Sequence, residues 1–556
     1  MKLDRRAFVG GAAILAASAQ AAAATSMGAG NSAQRRALGE LARYVEQHRT
    51  DWGLPGMTVC VVDRDGYAGF IRSGFAHLER REPVREDHIF QIGSITKMMV
   101  ALTIWSMIQE GKLAPTDKLT ALMPEIAVAN GGDITLQHLL NHTTGMPDDA
   151  PLFPEGGLWS GYAPGSNWSY CNLGYDMLGL IVARRDGRSL QAALEARVLH
   201  PLGMTQTLSA IRVGDRARYA QGYGPPYNDR ASLRPGPMTQ TTWIDTDGGA
   251  GCVASTARDM AIFTRFLIGL AQGGGGAVLS DATAVQFMAA PAPAPGWAEG
   301  ASYGNGIARV PIESRQYLHH TGGMISFSSS IHVDAEAGIA AFASSNVGGG
   351  LSYRPRDVTL FACQLLRNAR DGGIAPTPRP TRAKVDNAAH FAGVFTAANG
   401  DAFEVRAAGD QLKLRYQGRE TDMQFAGGGF ACGEPAFAVS GLVIELENDR
   451  AVRAWADDRE YLVNVALGYK PPASAELRAF AGRYDNDDPW YGPITVIARD
   501  GKLWAGNVAA LTPLNNGLWR FGDEDWSPER VRFDSVVNGR PTRLIFSGNP
   551  FVRRFS

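Results

Sequence analysis

The stretch from Met98 to Trp105 is apolar on nearly every face when it is wound as a helix. Such a helix has no side to offer to water and is buried inside a domain. One charge stands at its start, Lys97. A lysine there is costly unless it is paired or functional. Lysine occurs only at positions 2, 97, 112, 118, 384, 413, 470 and 502, and Lys97 alone has a serine three residues before it, Ser94. Helical residues at that spacing share a face, so the Ser94 hydroxyl and the Lys97 ammonium can touch. The lysine can then take the seryl proton, and the helix N-terminus favours the negative charge that develops. On this motif alone, an N-capping serine beside a lysine snorkelling to water reads equally well.

Of the 556 residues, 45% are hydrophobic and 20% charged, a globular composition long enough for several domains. The formal net charge of −1 gives no basic field, which argues against a nucleic-acid partner. At the start, Lys2, Arg5 and Arg6 precede an apolar run from Ala7 to Ala17, and Gln20 to Ala24 offers small residues for cleavage. That pattern predicts a signal peptide over 1–24, and Arg5-Arg6-Ala7-Phe8-Val9 resembles a twin-arginine signal. The expected location is periplasmic or secreted, in a bacterium. No later apolar run approaches about 18 residues, so no stable membrane anchor is expected after signal removal. Cys60, Cys171, Cys252, Cys363 and Cys432 are scattered and odd in number. They read as free thiols, with one disulfide after export left open.

Residues 25–374 read as one α/β domain. An amphipathic helix is expected around Arg35 to His48. Apolar runs Met57–Val62 and Tyr67–Ser73 flank Arg64-Asp65-Gly66, and Met324–Val333 and Ile339–Ser345 flank Glu336-Ala337-Gly338. Both pairs read as hairpins, the second followed by a helix around Tyr353 to Arg367. The expected fold is an antiparallel sheet built from both chain ends, flanked by helices, with a helical insertion. Alternating prolines at 376, 378 and 380 mark a linker over 375–386. Beyond it the chain repeats itself. Phe391-Ala392-Gly393-Val394-Phe395 matches Phe480-Ala481-Gly482-Arg483-Tyr484, and Gly409-Asp410-Gln411-Leu412 parallels Asp500-Gly501-Lys502-Leu503. Residues 387–470 and 471–556 therefore read as two small all-β, antiparallel, barrel-like domains.

Two further signals carry chemistry. Tyr170-Cys171-Asn172 offers a phenol, which a nearby cation such as Lys97 would favour as phenolate, and an amide able to orient Lys97 or a substrate. His320-Thr321-Gly322-Gly323 stands just before the strand expected at Met324. Glycines at a strand let a substrate approach the backbone, and Gly323 N–H with Ser94 N–H would make an oxyanion hole. His319 and His320 lack a third ligand at suitable spacing, so no metal is expected.

Ser-x-x-Lys, then Tyr-x-Asn, then His-Thr-Gly resembles the penicillin-recognising serine hydrolases, the group of class C β-lactamases, D-aminopeptidases and esterases. Leu136 to Pro147, with His142-Thr143-Thr144-Gly145 at its heart, His200-Pro201-Leu202-Gly203-Met204 and Gly248-Gly249-Ala250-Gly251 resemble further strings of that group. The resemblance covers roughly residues 35 to 370. It implies that Ser94 is acylated, that Lys97 and Tyr170 move protons, that Asn172 positions, and that His320 to Gly323 form the third wall. No cofactor is implied. His138 and His142 read as structural. Where β-lactamases of the group carry a lysine, this chain has His320, mostly neutral near pH 7. The two tail modules also resemble the paired β domains of D-aminopeptidases, so the expected function is a D-aminopeptidase- or esterase-like hydrolase of a small-molecule or short-peptide substrate, D-amino-acid derivatives included. A class C-type β-lactamase or D,D-carboxypeptidase, and a non-catalytic penicillin- or peptidoglycan-binding sensor, are the alternatives.

Overall fold

The structure, a computed structural model, describes residues 23–554 apart from 29, 290, 349, 350, 352, 373–375 and 382. The segment read as a signal peptide lies outside the described residues except for Ala23 and Ala24. Ala24 opens a strand, β1 (Ala24–Met27).

A ten-stranded antiparallel sheet organises the first part of the chain. Strands β2 (Gly56–Asp63) and β3 (Ala68–His77) form the first expected hairpin. Asp63 makes its turn by accepting from the N–H groups of Asp65 and Tyr67, both at 2.9 Å. The far edge is built from β4 (Ala292–Pro293), β5 (Ser302–Gly304) and β6 (Ile307–Ile312). It continues through β7 (Arg315–Gly323), β8 (Ser328–Asp334) and β9 (Ile339–Ser345). The spatial order is β1-β3-β2-β9-β8-β7-β6-β5-β4, so β9 from late in the chain pairs with β2 from its beginning. A short strand, Glu82–Pro83, extends β3. The second hairpin is present as expected, but its first strand starts at Ser328 rather than Met324. His320 to Gly323 do not form a turn before it; they are the end of their own strand, β7.

Helices cover both faces. On one side lie α1 (Ser32–Trp52) and α5 (Arg356–Asp371). Helix α1 starts at an Asn31–Gln34 capping box and stops at Gly53 in the left-handed conformation. Helix α5 begins at Arg356, a few residues later than the apolar pattern indicates, because Pro355 occupies its N-cap. On the other side the helical insertion between β3 and β4 supplies α2 (Thr96–Gln109), α3 (Asn172–Asp186) and α4 (Ala257–Ala271). The larger core lies here, with α2 at its centre: every residue from Thr96 to Met107 is buried.

Beyond the linker, strands between Gly393 and Leu462 form an eight-stranded antiparallel sheet whose ends meet at a Phe430–Leu442 bridge. Strands between Gly482 and Arg553 close into a second barrel. The repeated Phe-Ala-Gly strings open the first strand of each. This terminal barrel docks on the α/β part. Trp159 Nε1 donates to Pro528 O at 2.8 Å, and Tyr162 meets Trp526 edge-on at 5.4 Å. A β-carbon at Gly161 would lie 2.8 Å from Pro528 Cα. All five cysteines are buried and free.

Candidate active site

From His88 to Met107 the chain is buried at every residue but one, Ser94. It sits in a 3-10 turn, Gly93–Ile95, that feeds directly into α2. Gly93 makes this turn with φ +53°, and a β-carbon there would lie 2.7 Å from the Gly323 nitrogen. The turn therefore packs backbone to backbone on the end of β7. Gly322 is equally constrained: a β-carbon would fall 1.8 Å from Ile92 O. These two glycines let the backbone at Ser94 come close to that of Gly323, which makes their N–H groups the candidate donors to an oxyanion.

Lys97 is completely buried beneath Ser94. Its Nζ donates to Ser94 Oγ at 3.0 Å, Asn172 Oδ1 at 2.6 Å and Ala250 O at 2.7 Å. All three ammonium protons are thus used, and one points at the serine. Burial pushes the Lys97 ammonium down to about 8, while Asp148, Asp176 and Asp149 pull it back up. Nζ also lies 4.9 Å from the Tyr170 ring centre and 5.4 Å from that of Tyr175.

The Tyr170 phenol is within hydrogen-bonding reach of Ser94. Its charge state corrects the sequence reading. Desolvation pushes the phenol well above its ordinary range, outweighing the Ser94 hydrogen bond and Arg354, so Tyr170 rests as a neutral donor rather than a phenolate. Tyr170 packs against His142, the ring centres 4.3 Å apart and tilted by 38°. His142 Nδ1 accepts from Cys171 N at 3.1 Å and thereby fixes the segment that carries Tyr170. Burial and the Lys97 charge hold this imidazole neutral. His138 closes a capping box with Thr135. Both histidines brace loops rather than face the serine.

Asn172 opens α3 and bridges opposite charges: Nδ2 donates to Asp149 Oδ1 at 3.0 Å, while Oδ1 takes Lys97. The Gly248-Gly249-Ala250-Gly251 string works through its backbone. β-carbons at Gly248 and Gly249 would fall 2.4 Å from Asp176 Oδ1 and 2.2 Å from Tyr175 O, so only glycines let this loop reach α3 and present the Ala250 carbonyl to Lys97.

His320 and Thr321, expected to form the third wall with Gly322 and Gly323, are both buried. His320 is fully buried, with Nε2 2.8 Å from Tyr303 Oη and Nδ1 2.7 Å from Thr321 O. Burial, reinforced by the Lys97 charge, holds it well below the usual imidazole range. Trp297 packs over it at 4.9 Å. It is a neutral prop beneath the site. Thr321 contributes its carbonyl; its side chain lies across from Ser330, on the sheet face that bonds α5. His319 also points away from His320, stacking on His332 at 4.1 Å, so the two histidines do not converge on one point.

Four features escaped the sequence. Asp148 and Asp149 follow directly after the Leu136–Pro147 string, and their adjacency was the one available signal. Arg354 lies over Gly323, where a β-carbon would come 1.9 Å from its Nη2, and places a permanent cation beside the oxyanion amides. Trp297 carries no pattern of its own. Finally, a cavity of about 490 Å³ opens beside Tyr170, walled by Asp148 and Asp149 on one side and by Trp490, Tyr491 and Glu529 of the terminal barrel on the other. Ser94 is not among its walls, and the cavity meets the surroundings of that serine through Tyr170.

Known proteins resemble this chain over much of its length. The family described as Beta-lactamase matches residues 41–365. The esterase EstB of Burkholderia gladioli is 33% identical over 177 residues, 26% of this chain and 45% of that protein. A beta-lactamase of Escherichia coli (strain K12) is 27% identical over 218 residues, 37% of this chain and 55% of that protein. The chain thus spans about half the length of the curated relatives it matches. The octameric penicillin-binding protein homologue from Pyrococcus abyssi shares the fold, with a TM-score of 0.55 at 20% identity over 76% of this chain and 99% of that one.

Proposed function

The chain belongs to the beta-lactamase family, and from that premise we propose that it is an exported serine hydrolase that cleaves amide or ester bonds through an acyl group on Ser94, in the manner of D-aminopeptidases and esterases. The observation that carries this reading is the single surface-reaching residue of a buried run, Ser94, with the Lys97 nitrogen 3.0 Å beneath it. As the free amine, Lys97 takes the proton from Ser94 Oγ while that oxygen attacks the substrate carbonyl. The N–H groups of Ser94 and Gly323 hold the resulting oxyanion. Tyr170 gives its proton to the leaving group as the tetrahedral centre collapses, and Lys97 returns the proton to Tyr170. Water then repeats the sequence on the acyl-enzyme.

The preference for amides and esters over penicillins rests on His320, which is neutral and sealed under Trp297 and Tyr303, so it supplies no cation for a substrate carboxylate. The cavity beside Tyr170, lined by Trp490, Tyr491 and Phe551 of the terminal barrel, suits the apolar side chain of an amino-acid derivative. One observation favours a second reading. Arg354, beside Gly323, offers the positive charge that His320 lacks, and with it a β-lactamase or D,D-carboxypeptidase activity. Turnover of D- and L-alanine p-nitroanilides, p-nitrophenyl acetate and nitrocefin separates the two. Faster turnover of the amides or the ester supports the first reading; nitrocefin turnover far above both overturns it.

A further inference from the structure

We propose that Glu529, delivered by the terminal barrel, is a positioning residue for Lys97, acting through a hydrogen-bond relay that makes the barrel part of the active site. The inference rests on the reading of Lys97 as the base for Ser94. The relay has three links. Glu529 Oε1 accepts from Asp148 N at 2.9 Å, Asp148 Oδ1 accepts from Asn172 N at 2.7 Å, and Asn172 Oδ1 accepts from Lys97 Nζ at 2.6 Å.

The same short loop is gripped twice more from the barrel. The Asp149 carbonyl accepts from Tyr491 Oη at 3.2 Å and from Asn549 Nδ2 at 2.9 Å, while the Asp149 carboxylate takes the other end of Asn172. Asn172 is therefore held at its backbone N–H by Asp148 and at its side-chain Nδ2 by Asp149, two residues whose backbones the barrel holds. Glu529 is committed to this task. Its second oxygen accepts from Ser547 Oγ, and its neighbour Arg530 spends Nη1 on the carbonyls of Ser527 and Glu529 rather than on the carboxylate. A carboxylate whose two oxygens are both taken by neutral donors, placed behind the loop, fits orientation rather than ion pairing.

Charge follows the same path. Lys97 faces Asp148, Asp149, Asp176, Tyr170, Tyr175, Cys171, His142 and His320, and Glu529, with Arg530 beside it, stands behind Asp148 and Asp149. A loss of Glu529 is thus expected to alter both the aim of Lys97 and the pH at which it gives up its proton.

The test uses the full chain and a fluorophosphonate, with the rate of adduct formation on Ser94 read by mass spectrometry between about pH 6 and 10. Glu529→Ala is expected to slow acylation about tenfold and displace its pH midpoint. Glu529→Gln keeps an oxygen facing Asp148 N and is expected to recover to within about threefold of the parent. Glu155→Gln removes only rim ion pairs to Arg532 and Arg543, at 3.2 and 3.3 Å, and is expected to acylate like the parent. A Glu529→Ala variant with the parent's rate and midpoint overturns the relay, as does a Glu155→Gln variant equally slow. If Glu529→Ala does not fold, Ser547→Ala, which releases the far oxygen of Glu529, is expected to slow acylation about threefold, and an unchanged rate overturns the relay. Failure of the parent itself to label on Ser94 is a different outcome: it removes the hydrolase reading, and the relay with it.

Discussion

Replacing Asn172 by leucine is expected to move the pH at which Ser94 becomes acylated downward, because it takes away the closest acceptor of the Lys97 ammonium. Burial pushes that ammonium down to about 8 in the parent. Only the free amine can take the seryl proton. With a midpoint at about 8, its fraction is about 1% at pH 6, about 10% at pH 7 and about 90% at pH 9. Acylation should therefore rise nearly tenfold per pH unit up to about pH 7 and flatten above about pH 9. The bond from Nζ to Asn172 Oδ1 is 2.6 Å long. A hydrogen bond to a charged group contributes about 1.5–3 kcal/mol, equivalent to about one to two pH units in the stability of the ammonium. Leucine also removes the donor to Asp149, which makes that carboxylate harder to ionise and weakens its hold on the ammonium. Both effects have the same sign, so the midpoint should fall to between about 6 and 7, with a lower plateau because the amine is less well aimed. Fluorophosphonate labelling across the pH range, stopped in acid and read by mass, measures midpoint and plateau together. A parent rate still climbing tenfold per unit past about pH 10, as for a solvated lysine, would refute the reasoning, and so would a midpoint that rises in the variant.

Gly93→Ala should cost kcat about a hundredfold or more with little change in KM, since the new methyl meets the Gly323 nitrogen and parts the two oxyanion donors; steady-state kinetics on p-nitrophenyl acetate check this. His320→Lys should lower the melting temperature by at least about 5 °C without creating nitrocefin turnover, because it buries a cation beside Lys97 among Tyr303, Trp297 and Tyr170. A stable His320→Lys enzyme that hydrolyses nitrocefin rapidly would contradict this account of the third wall.

Much of the site was legible because its chemistry depends on rare side chains at fixed spacing. Ser94 and Lys97 stood out since the chain carries few lysines and because a charge at the start of an all-apolar helix is costly. Tyr170 and Asn172 gained meaning from their order relative to those two. The rest was hidden for physical reasons. The third acceptor of Lys97 is the carbonyl of Ala250, and a backbone group leaves no trace in residue identity. The state of Tyr170 depends on desolvation, which a nearby cation in the sequence does not reveal. His320 stands on a strand of its own rather than just ahead of one, and its depth depends on Trp297 and Tyr303, contributed by a separate stretch of chain. The two tail barrels were visible in the repeated Phe-Ala-Gly strings. That the second one reaches back with Glu529, Tyr491 and Asn549 was not visible, because no local pattern encodes a docking contact between distant segments.

The central claim is that the Ser94 hydroxyl, activated by the buried Lys97, carries the acyl group. Peptide mapping by mass spectrometry after brief exposure to a fluorophosphonate tests it most directly. The account predicts one stoichiometric adduct on the peptide containing Ser94, absent from Ser94→Ala and formed far more slowly in Lys97→Met. An adduct on another residue, or equal labelling of the Lys97→Met variant, would contradict it.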